Sequence, residues 1–92
     1  MMTWRAIDYG TAENDEGIQV SREGFRLVTY GRPDRLINID VESGDRNLAV
    51  YAGSIEQWSD GAVVGDEERA KIVKDIEDAF HVLNVPIEIS WV

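Results

Sequence analysis

The stretch from Asp66 to Leu83 constrains the fold more than any other part of this chain. Ile72, Val73, Ile76, Ala79, Phe80 and Leu83 recur at three- and four-residue steps, which lays them along one stripe of an α-helix. Asp66 is the expected N-cap, and Glu67 and Glu68 put negative charge at the positive end of the helix dipole. Lys71, Lys74, Asp75, Glu77 and Asp78 fall on the wet side, with Lys71–Asp75 and Lys74–Asp78 spaced to pair along the surface. Asn84 tolerates the left-handed conformation that ends a helix, and Pro86 prevents its continuation. No comparable helical stripe occurs elsewhere, so the apolar side of this helix must be covered by strands.

The rest of the chain supplies them. Thr3 to Tyr9 reads as a first strand, and Gly10 to Gly17 as a polar loop. Ile18 and Val20 alternate with polar residues, and Arg22-Glu23-Gly24 makes a turn. Phe25 to Tyr30 is the next strand, followed by a loop at Gly31-Arg32-Pro33-Asp34. Leu36 to Val41 and Leu48 to Ala52 form a hairpin around Glu42-Ser43-Gly44-Asp45, and Gly53-Ser54 suggests a bulge before Ile55 and Trp58. Ile87, Ile89 and Trp91 alternate with Glu88 and Ser90 in a last, C-terminal strand. The expected class is α+β: an antiparallel meander of about five to six strands with one long helix on one face. The other face is then open to solvent or to a partner, and on this register it carries Arg26, Val28, Tyr30, Leu36, Asn38, Asp40, Ala49 and Tyr51.

Ninety-two residues are enough for a single domain spanning 1–92. Cysteine is absent, which removes disulfides and thiolate metal sites and fits a reducing, cytoplasmic setting. The first residues lack the apolar run of a signal peptide, and no segment has the length of a membrane span. Eighteen acidic against nine basic residues give a net charge of −9. Phosphate backbones and anionic membranes repel such a chain, whereas a basic protein is drawn to it. An exposed edge strand also leaves a homodimer open.

Catalytic chemistry has little to stand on. His81, the one histidine, sits in the last helical turn without a nucleophile or a second metal-ligating histidine, and is read as a residue that complements the helix end. Asp40, Glu42 and Asp45 form an acidic edge, and neither they nor Asn14-Asp15-Glu16-Gly17 have the spacing of a calcium loop. Gly-rich phosphate loops and nucleophile elbows are missing from the sequence. The expectation is a binding protein with no catalytic residue, no cofactor and no metal. Trp58 has two readings: an interface anchor beside the turn Ser59-Asp60-Gly61, or a core residue closing the sheet against the start of the helix.

One arrangement carries a resemblance. A strand Leu36-Ile37-Asn38-Ile39-Asp40 is followed by Leu48-Ala49-Val50-Tyr51-Ala52, then Ile55 and Trp58, then the helix opening Asp66-Glu67-Glu68-Arg69. The pattern, from about Gly24 to Leu83, resembles the small α+β immunity proteins of bacterial polymorphic-toxin and contact-dependent growth-inhibition systems. The resemblance implies a cytoplasmic, non-enzymatic partner of one toxin. Such toxins are often nucleases, frequently ribonucleases, carried as the C-terminal domain of a larger protein. It transfers no binding residue. From the residues themselves, Asp40, Glu42, Tyr51, Glu56, Trp58 and Asp60 are the expected toxin-binding set. An acidic, nucleic-acid-mimicking regulator of some other basic protein is the alternative, and a small carboxylate-based or calcium-dependent enzyme is a third.

Overall fold

A computed structural model describes residues 3–24 and 26–91. Phe25, placed by the sequence pattern at the start of a strand, lies outside them. Among the described residues seven strands, against the five to six expected, follow one another in space as in sequence: β1 (Trp4–Asp8), β2 (Thr11–Asn14), β3 (Gln19–Arg22), β4 (Leu27–Arg32), β5 (Arg35–Ser43), β6 (Leu48–Tyr51) and β7 (Ile87–Ser90). The helix α1 (Asp66–Val82) lies between β6 and β7 in the chain and packs against β1, β2, β3 and β7. The α+β class and the single long helix are as the sequence pattern implies.

Several features differ. First, Thr11–Asn14 is a strand within the expected Gly10–Gly17 loop. Its alternation is hidden because its inward residues are Ala12 and Asn14, both buried and neither a marker of an apolar face. Asn14 belongs inside because its side-chain oxygen accepts the backbone N–H groups of Glu16 and Ile18, at 3.0 and 2.9 Å, and so ties the β2–β3 turn. Second, β4 and β5 run almost to their shared turn, with Arg32 paired to Arg35, so only Pro33 and Asp34 remain as its tip. Third, the expected bulge at Gly53-Ser54 is a 3-10 turn, Ala52–Ser54, and Ile55 to Trp58 lie beyond β6 in a loop pinned by a Gln57–Val63 bridge.

The fourth concerns the last strand. β7 pairs with β6 in parallel, Leu48 with Ile87 through Tyr51 with Ser90, while the other adjacent pairs are antiparallel. The meander thus ends in a strand–helix–strand crossover, for which α1 and its flanking loops supply the length that a parallel connection needs.

Strand β5 is shared by two halves of the sheet. Its first part, to Asp40, pairs with β4, and Val41–Ser43 pairs with β6. The inward residues Ile37, Ile39 and Val41 meet Val20, Val28 and Tyr30 from one half, Leu48 and Val50 from the other, and Ile72, Ile76, Ala79 and Phe80 from the helix in one buried apolar core. Val28 and Tyr30, expected on the open face, are inside it; Val28 pairs with Ile39 and Tyr30 with Ile37, and Thr29 takes the outer position beside Asn38. The register of β4 is one residue from expectation, which exchanges its two faces.

The helix start and one wet-side assignment also change. Gly65, in extended conformation, is the N-cap; Asp66 is the first helical residue, and its carboxylate meets Arg69 at 3.0 Å. Asp75, expected in solvent, is only 1 % exposed, because it accepts the Tyr30 hydroxyl at 2.6 Å and the Lys71 ammonium at 3.0 Å. The pairs Lys71–Asp75 and Lys74–Asp78 do form, the latter at 3.6 Å. Asn84 ends the helix at φ 58°, as its side chain suggests.

Candidate functional site

The face of β5, β6 and β7 turned away from the core is where the acidic candidates meet. Along β5 the outward positions are Leu36, Asn38, Asp40 and Glu42, all exposed. Glu42 stands opposite Ala49, and Ala49 opposite Glu88, so one row across three strands reads carboxylate, methyl, carboxylate. The small Ala49 leaves space over the row, and Tyr51, two residues along β6, occupies it by donating its hydroxyl to Glu42 Oε2 at 2.6 Å. That hydrogen bond, reinforced by the charge of Glu42, raises the Tyr51 pKa above its ordinary value. The phenol is thus a donor to the Glu42 carboxylate. The edge of this patch is fixed as well: Ser54 Oγ donates to the Tyr51 carbonyl at 2.7 Å and accepts the Asp40 N–H at 3.1 Å.

Asp40, Glu42 and Tyr51 of the expected set thus share one surface. Glu56 is exposed and follows two residues after Ser54, in the loop that leaves the patch. Asp60 belongs to the other end of β5. Its loop is tied there by Ser59 N–H to the Leu36 carbonyl, at 2.8 Å, and its carboxylate meets Arg35 Nε at 3.3 Å and accepts Ala62 N–H at 2.9 Å. At about 3.3 Å per residue, Asp60 stands roughly 20 Å from Glu42 along the strand.

Trp58 is a core residue, 2 % exposed, and this corrects the interface reading. Its ring lies 6.1 Å from that of Tyr30, the Arg32 and Arg35 guanidinium carbons stand 4.9 and 5.4 Å from its centroid, and its Nε1–H donates to Glu68 at 2.9 Å. The loop after β6 is long enough to fold this indole back over the start of the helix, which is why strand-end position alone was misleading. Tyr30, also an interface candidate on the expected register, is buried for the reason given above.

Sequence reasoning missed Glu88. Its alternation with Ile87 and Ile89 gives its face, but the parallel placement of β7 beside β6 is what brings it into one row with Glu42 across Ala49. The order strand, helix, strand was the available signal.

Elsewhere, a groove of about 680 Å³ opens between the β1–β2 turn and the end of α1, lined by Ala6, Tyr9, Arg22, Phe80, Leu83 and Val85 among others. The Arg22 guanidinium in it donates to the Gly24 carbonyl at 3.2 Å and to Ser43 Oγ at 2.9 Å, and so holds two strand ends together. Among the described residues, no group of three or more histidine, aspartate or glutamate side chains is placed to hold a metal ion. No described helix is long and apolar enough to cross a membrane. No protein-family model, curated protein or solved structure matches this chain.

Proposed function

We propose that this chain is an immunity-type inhibitor that binds a basic toxin domain one to one and covers its active site. The observation that carries the reading is the outer face of β5–β7, which Asp40, Glu42 and Glu88 share with Tyr51, whose hydroxyl donates to Glu42. A nuclease must hold phosphates and is basic around its active site. A chain of net charge −9 is steered to such a surface, and its carboxylates can occupy the positions that phosphates would take. Steering alone gives rate without residence. Tyr51 supplies an amphipathic anchor on this surface, with a ring to bury and a hydroxyl to bond. A nuclease, with ribonucleases foremost, is the toxin class this chemistry suits, and the inhibitor would act in the cytoplasm of the toxin-producing cell. The reading contains no catalytic step.

The test is co-expression in a bacterium with the C-terminal segment, about 100–150 residues, of the protein encoded immediately upstream. Growth arrest by that segment, relieved only by this chain and accompanied by a one-to-one complex, supports the reading. A harmless neighbour, or continued arrest in the presence of folded inhibitor, overturns it. Selective binding to an unrelated basic protein would instead favour an acidic regulator.

A further inference from the structure

β1 and β7 are the two edges of the sheet, and they are not alike. The β1 edge is interrupted: its register shifts between Ala6 and Asp8, and Arg5 and Asp8 are exposed along it. A bulge and charges of this kind deter another strand. β7 has no bulge, and its one charged residue is the exposed Glu88. Its register with β6 is unbroken over Ile87-Glu88-Ile89-Ser90, and beside its end stands Trp91, 60 % exposed.

The direction of the backbone groups follows from the pairing. Leu48 N–H donates to the Pro86 carbonyl at 2.9 Å, with Leu48 opposite Ile87. Successive residues of a strand direct their peptide groups to alternate sides. Those of Pro86, Glu88 and Ser90 therefore face β6, and those of Ile87 and Ile89 face outward. No described residue hydrogen-bonds to the Ile87 or Ile89 peptide groups on that side.

We propose that the free edge of β7 is a strand-addition site whose occupant is an extended segment of a basic partner, with apolar and basic side chains alternating. The backbone of such a segment would complete the Ile87 and Ile89 ladder. On one face its apolar residues would lie beside Ile87 and Ile89, which stand opposite the buried Leu48 and Val50. On the other face its basic residues would extend the row Glu42–Ala49–Glu88. A second copy of this chain also presents a free β7, but each copy carries a charge of −9, and this self-repulsion favours a basic partner. The inference does not rest on the toxin reading, because it holds for any partner that offers such a strand.

The experiment is amide hydrogen exchange by NMR on the full chain, titrated with a cyclised hairpin whose outer strand alternates valine and lysine, and with the same hairpin carrying glutamate for lysine. The Ile87 and Ile89 amides should exchange fast in the dilute free chain and slow about tenfold or more with the lysine hairpin only, while the β1 edge is unchanged. Glu88→Lys, at an exposed position, should weaken the lysine hairpin about tenfold and improve binding of the glutamate one. Fast exchange at Ile87 and Ile89 under saturating hairpin, or protection already present in the dilute free chain, overturns the proposal. Protection that grows with chain concentration alone, with a dimer in sedimentation, identifies a second copy as occupant and overturns the basic partner. Equal binding of the two hairpins does the same.

Discussion

Replacing Tyr30 by phenylalanine tests the buried pair that joins sheet to helix. Tyr30 is fully buried and Asp75 nearly so, and the hydroxyl donates to the carboxylate at 2.6 Å. The substitution keeps the ring and its packing on Trp58, and removes one hydrogen bond to a buried anion that Lys71 alone then compensates. Hydrogen bonds to charged groups contribute about 1.5–3 kcal/mol, so a loss of about 2 kcal/mol at neutral pH is expected, or a Tm lower by about 10 °C for a domain of this size. The alkaline limb gives a second signature. Burial first, then the hydrogen bond and charge of Asp75, raise the Tyr30 pKa above its ordinary value of 10.0. Above about pH 10 the unfolded chain releases this proton and the folded chain retains it, so the unfolded state binds fewer protons and stability falls as pH rises. Below pH 10 the contribution is fully present. Urea denaturation should therefore show wild type losing stability more steeply than Tyr30→Phe above about pH 10, by up to ~1.4 kcal/mol per pH unit. A neutral-pH loss below about 0.5 kcal/mol, or identical alkaline slopes, would refute the assignment of this pair as a structural tie.

Two further substitutions separate packing from binding. Trp58→Ala should cost about 3–5 kcal/mol, seen as a lower denaturant midpoint or outright unfolding, because it empties a buried site and removes the indole donor to Glu68; an unchanged midpoint would contradict its place in the core. Asn14→Ala should cost about 2–3 kcal/mol in the same assay, since the Glu16 and Ile18 N–H groups lose their shared acceptor, and the amides of both residues should exchange faster.

The helix and the hairpin β5–β6 were legible because their apolar periods are strong and their ends carry turn residues. Ile37, Ile39 and Val41 announce an inward face, and Asn84 with Pro86 announces a stop. What escaped was decided by long-range partners. Asp75 reads as a surface aspartate until Tyr30, forty-five residues away in the chain, supplies a buried donor. Counting from its neighbours points Tyr30 outward, and only pairing with Ile37 fixes its face. Ala12 and Asn14 form the inward side of a strand that lacks the large apolar residues by which strands are recognised. The acidic patch was half legible. Asp40, Glu42 and Tyr51 share a face by alternation alone, whereas Glu88 joins them through a parallel crossover that local spacing does not encode.

Under the proposed inhibitor function, the outer face of β5–β7 is the surface that would meet a basic toxin. Asp40→Ala combined with Tyr51→Ala removes one carboxylate and the aromatic anchor from this exposed surface while leaving the core untouched. If the upstream-encoded segment proves toxic, titration calorimetry against an inactivated form of it, with folding of the double variant verified by its denaturant midpoint, tests this directly. An unchanged midpoint is expected, with an affinity lower by about a hundredfold, as for loss of an anchor and a steering charge. Wild-type affinity in the folded double variant would contradict it and move the interface to another face of the protein.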